Sequence, residues 1–235
     1  MRPDYERLKE IMPTEIELPL IYTTMYNFPW FKTFCKLMDL GTTATNINEF
    51  NEIGGGGIWM DIFPLDFDRN PNISYSEEME LVFKTQEELL KMVLRPQIVL
   101  NEIKDGSYQP VLPPETLTKL AAAPREVPFK LYEDFSLAHF NDTDYCSRFS
   151  QASRYNVPLK FFDCLPVPKA WFGEGTTLLF EGLPFPCPVD YESHLTTLYG
   201  DWREPKRFAS AHQAFRFSVD MSYEEYIRTA KYINL

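Results

Sequence analysis

The sequence predicts an α+β fold in one domain that spans residues 1–235. Apolar residues recur at helical spacing near the start and after Ser74. One short segment alternates as a strand does, and another is an apolar run between a glycine cluster and Pro64. The chain is 44% hydrophobic, with 19 Phe and 13 Tyr, which is typical of an ordered aromatic core. No linker divides it, so we expect a core over about 1–104 followed by a helical and loop portion over about 105–235.

The opening residues predict a short amphipathic helix after Pro3, over Asp4 to Met12. Proline cannot donate a backbone hydrogen bond inside a helix, so Pro13 is the expected stop. The predicted apolar face holds four residues at helical spacing, namely Tyr5, Leu8, Ile11 and Met12.

Two strands are predicted in the first quarter of the chain. The first lies between Pro29 and Gly41, where Lys36 and Met38 occupy one of two alternating faces. The second runs from Ile58 to Phe63, after a glycine cluster, and Pro64 ends it. Because the two strands are consecutive in the prediction, we expect them to pair as a hairpin.

A long helix is predicted from Ser74, which forms a capping box with Glu77, and it continues past Pro96 with a kink. Residues 105–130 contain five prolines and little periodicity. That composition predicts an extended connection along the surface or a weak subdomain boundary.

The rest of the chain predicts one strand and two helices. A short strand covers Tyr145 to Ser150, and the aromatic segment from Val157 to Phe172 is a candidate cover for a pocket. One helix begins near Pro188 and ends at Gly200, and the other begins at a capping box of Ser222 with Glu225.

Charge and cysteine spacing exclude several classes of partner and site. A net charge of -11 disfavours a nucleic acid polymer or an anionic membrane surface, since both attract Lys and Arg. The four cysteines form no CxxC pair, which argues against a zinc or dithiol site. No transmembrane segment or signal segment is recognisable, so we expect a cytoplasmic protein.

Asp61 is the strongest candidate for chemistry because it lies in the middle of an apolar strand. A carboxylate there requires a cation, a donor network or a metal in compensation. Acids on adjacent strands hold Mg²⁺ and align a phosphate. The alternative is that Asp61 lies solvated at a strand edge or bonded to a backbone donor. Asp66 and Asp68 follow Pro64 and are expected to be turn acids.

Cationic residues provide candidate phosphate contacts. Lys36 lies on the first strand, and Lys206 and Arg207 precede His212, although solvent exposure is the ordinary alternative for each lysine. Histidine spacing gives no metal motif, and no GxSxG segment indicates a hydrolase. The glycine cluster at 54–57 lacks the lysine of a P-loop, so a flexible turn is favoured over a phosphate cradle.

Four segments together resemble the LicD family of phosphocholine transferases, which is related to the fukutin-type glycan phosphotransferases. Gly57 to Asp66 reads GIWMDIFPLD, Phe180 to Gly182 reads FEG, and Leu198 to Trp202 reads LYGDW. The opening Arg2 to Leu8 is similar to a family helix that follows the first active-site strand. The resemblance extends with gaps to about residue 212 and covers most of the chain.

The resemblance implies a nucleotidyltransferase-like mixed β-sheet flanked by helices, with Mg²⁺ or Mn²⁺ as cofactor. It implies transfer of phosphocholine or a related phospho-substituent from a CDP-activated donor to a cell-surface glycan such as lipopolysaccharide, teichoic acid or capsule. Such an enzyme is expected in the cytoplasm or peripheral to the inner face of the membrane. Asp61 matches the catalytic and third metal-binding carboxylate, and the candidate substrate contacts are Lys36, Asp66, Tyr199, Asp201, Lys206, Arg207 and His212.

The sequence departs from the family pattern in two places. Met38 stands where the family usually has an arginine, two positions after Lys36. An acidic Asp-Asp-Asp-Ile-Asp type segment precedes the Arg-Pro-Asp-Tyr helix in the family, whereas this sequence opens at that helix, so the expected fold is N-terminally truncated. Asp39 and Asp201 are alternative ligands. The second hypothesis is a non-catalytic remnant that binds nucleotide, glycan or a partner chain, and an exposed sheet edge predicts self-association.

Overall fold

The computed structural model describes residues 1–27, 33–46, 56–148, 165–205 and 215–233. This part of the chain is α+β, as predicted, with seven α-helices and four small sheets. Every strand pair in it is antiparallel, so the mixed sheet of the expected nucleotidyltransferase-like fold is not among the described sheets.

The elements, numbered in chain order, have the following bounds. The helices are α1 Arg2–Glu15, α2 Glu77–Leu94, α3 Pro96–Asp105, α4 Pro114–Ala122, α5 Glu126–Ala138, α6 Tyr191–Tyr199 and α7 Tyr223–Ile233. The strands are β1 Leu20–Thr23, β2 Cys35–Asp39, β3 Thr43–Asn46, β4 Ile58–Ile62, β5 Asp66–Asp68, β6 Tyr145–Ser147, β7 Val167–Pro168, β8 Thr176–Phe180, β9 Leu183–Cys187 and β10 Phe215–Ser218.

The chain divides into two compact units that alternate along the sequence. The larger unit contains residues 1–3 and 64–205, and the smaller contains residues 4–63 and 206–235. The sequence predicted one domain in which a core is followed, near residue 104, by a helical and loop portion. In the structure that position lies inside the larger unit, at the end of α3.

The smaller unit contains a three-stranded sheet in the order β1-β2-β4. The two predicted strands are confirmed and pair with each other, but β3 lies between them in sequence and pairs with β10, so they are not a simple hairpin. Helix α1 packs on one face of this sheet, where Tyr5, Tyr22 and Cys35 form the buried core. The helix runs through Pro13 to Glu15, so the predicted stop at Pro13 was wrong, and the Thr14 hydroxyl donates to the Ile11 carbonyl near its end.

The larger unit contains most of the helices. The cap of α2 is Ser76, whose side chain accepts the Met79 N–H, so the predicted cap at Ser74 was wrong. The helix ends at Leu94, and Pro96 starts α3 as a separate helix because proline suits a first helical position. The expected extended connection over 105–130 was also wrong, since it contains α4 and the start of α5, with Leu117 buried.

Two small sheets complete the larger unit. β5, β6 and β7 form one sheet, whose β6 confirms the predicted strand, and Phe67 of β5 packs against Phe83 and Phe140. β8 and β9 form a hairpin that pairs with no other strand in the described part of the chain. The helix predicted after Pro188 is α6, which Asp190 caps and Gly200 ends.

In α7 of the smaller unit, the Ser222 side chain accepts the Glu225 N–H, as the capping box predicted. The first half of the aromatic segment at 157–172, up to Cys164, lies outside the described residues. None of the helices in the described part is long and apolar enough to cross a membrane.

Candidate functional site

The strand register of the smaller unit places Lys36 directly opposite Asp61. Lys36 lies on β2 and Asp61 on β4, and the two are partners in the antiparallel ladder. Lys36 Nζ lies 3.4 Å from Asp61 Oδ1, and the side chains are 9% and 32% exposed. Directly opposed residues point to the same face of a sheet, so their charges meet there. The compensating group predicted for Asp61 therefore includes a lysine ammonium.

Two aromatic rings lie beside the same ammonium. Lys36 Nζ is 4.3 Å from the ring centroid of Trp59 and 5.9 Å from that of Phe34. Trp59 precedes Asp61 by two residues, and side chains at that spacing share a strand face. The negative face of an aromatic ring attracts a cation. We call Phe34, Lys36, Trp59 and Asp61 the lysine cluster.

Backbone packing explains how β4 reaches this register. A Cβ at Gly57 would overlap the backbone carbonyl of Asp39, so only glycine allows this approach of β4 to the end of β2. The N–H of Ile58 donates to the Thr42 side chain at 2.8 Å. Gly57 thus serves backbone geometry, while Gly54 and Gly55 lie outside the described residues.

The edge position of β4 leaves the lysine cluster partly accessible. Among the described strands, β4 is the last in the order of its sheet. Asp61 is exposed, whereas Lys36 and Met38 on the adjacent strand are buried. An anionic ligand that approaches β4 would therefore meet the carboxylate and the indole first and the ammonium behind them.

The lysine cluster does not fit the three-carboxylate metal site that the resemblance implies. Among the described residues, no group of three or more His, Cys, Asp or Glu side chains is placed to hold a metal ion. The registered neighbour of Asp61 is a cation, which competes with a metal for the carboxylate oxygens. We therefore assign no metal-dependent step to the described residues.

Asp66 lies inside the larger unit. It is fully buried, and its carboxylate accepts bonds from Arg2 Nε at 2.5 Å, Arg2 Nη2 at 2.9 Å and the Tyr132 hydroxyl at 2.5 Å. Burial by itself would lower the pKa of Arg2, but the Asp66 carboxylate raises it well above its ordinary value. A carboxylate without exposed surface cannot contact a substrate in this conformation, so the geometry gives Asp66 a structural role.

Asp68 is a second buried acid on β5. Its side chain accepts the Ser147 hydroxyl at 2.5 Å and the Arg69 N–H at 2.7 Å. Burial raises the pKa of Asp68 from 3.8 to about 6, although both hydrogen bonds oppose the shift. The prediction that Asp66 and Asp68 are turn acids was wrong, because both are strand residues paired with β6.

The other predicted site residues are distributed over both units. Tyr199 and Asp201 are exposed at the end of α6 in the larger unit. Asp39 lies at the end of β2, where its own Oδ1 accepts the Gly41 N–H at 2.8 Å. Three predicted substrate contacts lie outside the described residues, namely Lys206, Arg207 and His212.

Phe34 and Trp59, which complete the lysine cluster, were not predicted as site residues from the sequence. Their alternation with Lys36 and Asp61 was the available signal, since side chains two apart share a strand face.

Comparison with family models, with curated proteins and with solved structures finds no match to the chain.

Proposed function

We propose that this chain transfers phosphocholine or a related phospho-substituent from a CDP-activated donor to a cell-surface glycan. The observation that carries the proposal is the registered pair of Lys36 and Asp61 on adjacent strands, with Trp59 on the same face. The sequence resemblance to LicD transferases is the second line of support, because Asp61 and Lys36 match two of its motif positions.

The lysine cluster has the chemistry that a CDP-activated donor requires. The Lys36 ammonium can donate to phosphate oxygens of the donor. The indole of Trp59 offers a ring face to a cytosine base or to a quaternary ammonium. Because Lys36 is buried behind the partly exposed Asp61, a bound phosphate would have to replace part of the Lys36–Asp61 pairing.

In the proposed reaction an acceptor hydroxyl attacks the phosphorus that bears the transferred group. The new oxygen–phosphorus bond forms as the bond to the CMP oxygen breaks, and CMP leaves with the bonding electrons. The hydroxyl proton requires an acceptor, and the Asp61 carboxylate is ionisable, one-third exposed and next to Lys36. We therefore assign phosphate binding to Lys36 and proton acceptance to Asp61.

The lysine cluster also supports a second candidate, a non-catalytic module that binds a nucleotide or a glycan. The favouring observation is that a cation lies next to Asp61 while the described residues offer no metal ligand set. In that case Asp61 positions the Lys36 ammonium for an anionic ligand, and no bond is broken.

A CMP-release assay distinguishes the two candidates. The purified chain is incubated with CDP-choline, a glycan acceptor and Mg²⁺ or Mn²⁺, the metals that the resemblance implies, and CMP is measured. The transferase proposal expects turnover that falls by a factor of about 100 or more in Asp61→Asn and in Lys36→Met. Asp220→Asn, an exposed acid in the same unit, is the matched control and keeps full activity.

Calorimetric titration with CDP completes the test. A chain that binds CDP without releasing CMP from CDP-choline supports the binding module and contradicts the transferase. Loss of CDP affinity in Lys36→Met, with Asp220→Asn unchanged, would locate the ligand at the lysine cluster. A chain that neither binds CDP nor releases CMP contradicts both roles for this cluster.

A further inference from the structure

The hairpin of β8 and β9 has two strand edges that differ chemically. Its turn consists of Glu181 and Gly182 with φ angles of 51° and 79°, the geometry of a type I′ turn. A two-residue turn of this type closes on a hydrogen-bonded pair, here Phe180 and Leu183. Hydrogen-bonded and non-hydrogen-bonded pairs alternate along the hairpin from there. Leu178 and Phe185 are therefore a hydrogen-bonded pair, whereas the pairs on either side of them are not.

The alternation leaves only one edge of the hairpin with hydrogen-bond donors. The non-bonded residues of β9 are Pro184 and Pro186, whose backbone nitrogens face outward and carry no hydrogen. The corresponding residues of β8 are Thr177 and Leu179, whose N–H and C=O groups also face outward. As far as the described residues go, edge pairing in the manner of a sheet is therefore blocked on β9 and open on β8.

The hairpin is also exposed and apolar. All five residues of β8 are exposed, with Leu179 at 75% and Phe180 at 65%, and Leu183 on β9 is 60% exposed. The twelve positions from Thr176 to Cys187 carry one charge, that of Glu181 in the turn. An open edge with this composition is a ready surface for pairing with another strand.

We propose that two copies of this chain pair through β8, antiparallel about a two-fold axis at Leu178. In this register Thr177 of each copy faces Leu179 of the other, and the two pairs exchange four backbone hydrogen bonds. The Leu178 side chains meet on the axis, and the hairpins form a four-stranded sheet. This proposal is independent of the transferase proposal.

The strand itself favours a second copy as its occupant. Thr176 to Phe180 places threonine opposite phenylalanine or leucine, and leucine opposite leucine, so no like charges oppose each other within the paired strands. An isologous pairing of this kind is the commonest oligomeric contact. An anionic membrane is disfavoured because the chain has a net charge of -11 and the hairpin has neither Lys nor Arg.

Sedimentation velocity over a dilution series tests the proposal. The wild-type chain is expected to form a dimer whose fraction falls on dilution. Thr177→Pro removes an outward donor without removing a bond inside the hairpin, and it is expected to weaken dimerisation about tenfold. Thr177→Val keeps the donor and is the matched control, which dimerises like the wild type. A chain that is monomeric at every concentration, or a proline variant that dimerises as tightly as the wild type, overturns the proposal.

Cysteine cross-linking tests the register. The two Leu178 residues form a close non-bonded pair with Cα atoms about 4.5 Å apart, within the range of a disulfide. Leu178→Cys is therefore expected to give a covalent dimer on mild oxidation, above the background of the wild-type cysteines. Thr176→Cys, about 14 Å from its own counterpart, is the control and stays uncross-linked. If the Leu178→Cys variant still dimerises but does not cross-link through this cysteine, the proposed β8 register is wrong.

Discussion

The Lys36 ammonium and the Asp61 carboxylate lie opposite each other on two paired strands, with Nζ 3.4 Å from Oδ1. Lys36 is 7% exposed as a whole residue, so loss of its registered partner leaves a largely desolvated charge with less compensation. Substitutions of this pair and of other buried charges are therefore expected to change the free energy of unfolding.

Asp61→Asn is expected to lower the free energy of unfolding by about 1 kcal/mol, because Asp61 is one-third exposed and water screens the pair. Urea denaturation of this variant, of Lys36→Met and of the double variant measures the coupling. Asp220→Asn is the control. Additive effects in the cycle would show that the two charges do not stabilise each other.

Asp66→Asn is expected to destabilise the chain by about 3 kcal/mol, because the fully buried Arg2 loses the carboxylate that accepts two of its hydrogen bonds, while the Glu133 carboxylate, 3.6 Å from Nη1, compensates the charge in part. Tyr132→Phe removes only one hydrogen bond to the same carboxylate and is expected to cost about 1 to 2 kcal/mol. Chemical denaturation measures both. Equal costs for the two variants would contradict the central position of Asp66.

Because the pKa of Asp68 is raised, we expect the free energy of unfolding to fall as the pH rises from about 4 to about 6. Its pKa is about 6 in the folded state against 3.8 ordinarily, so the folded chain binds the proton more tightly. Stabilisation by this proton is fully present below pH 3.8 and is lost as the pH passes through 6, a change of about 3 kcal/mol.

Asp68→Asn tests this pH dependence because the amide oxygen can still accept a hydrogen bond and has no carboxyl proton to lose. The difference in unfolding free energy between the variant and the wild type is measured at several pH values, which cancels the titration of other groups. We expect the variant to gain in relative stability between pH 4 and 6. A difference that does not change with pH would contradict the raised pKa.

Gly57→Ala is expected to destabilise the smaller unit by more than about 3 kcal/mol, because the added Cβ overlaps the backbone carbonyl of Asp39. Gly41→Ala is the matched control. Its Cβ would lie 3.1 Å from the movable Asp39 side-chain oxygen, so we expect a change below about 1 kcal/mol. Thermal unfolding monitored by near-UV circular dichroism compares them, and equal effects would refute the close approach at Gly57.

Local patterns in the sequence predicted several elements correctly. Alternation was enough for β2, an apolar run between a glycine cluster and Pro64 was enough for β4, and Gly200 marked the end of α6. Prolines misled the prediction in the middle of the chain, since Pro114 begins a helix there and does not break one. β5 has three residues, too few for a period to be recognised.

The candidate site could be predicted only in part. Asp61 and Lys36 were recognised separately, but their pairing depends on the register between β2 and β4, which the intervening chain and the approach at Gly57 determine. Asp66 was predicted as a substrate contact because it lies in the segment that resembles the LicD family. The partners that enclose it, Arg2 and Tyr132, are 64 and 66 residues away.

These long separations also determine the order of events when the chain is synthesised. Arg2 is translated 64 residues before Asp66, and Tyr132 follows Asp66 by 66 residues. Before Asp66 is made, the guanidinium lacks this counter-charge and stays hydrated, because entering an apolar interior without one is costly. The larger unit therefore cannot finish folding from its N-terminal end, and its completion waits for α5 to leave the ribosome. Closing loops of this length also costs conformational entropy, which the contacts of Asp66 must offset.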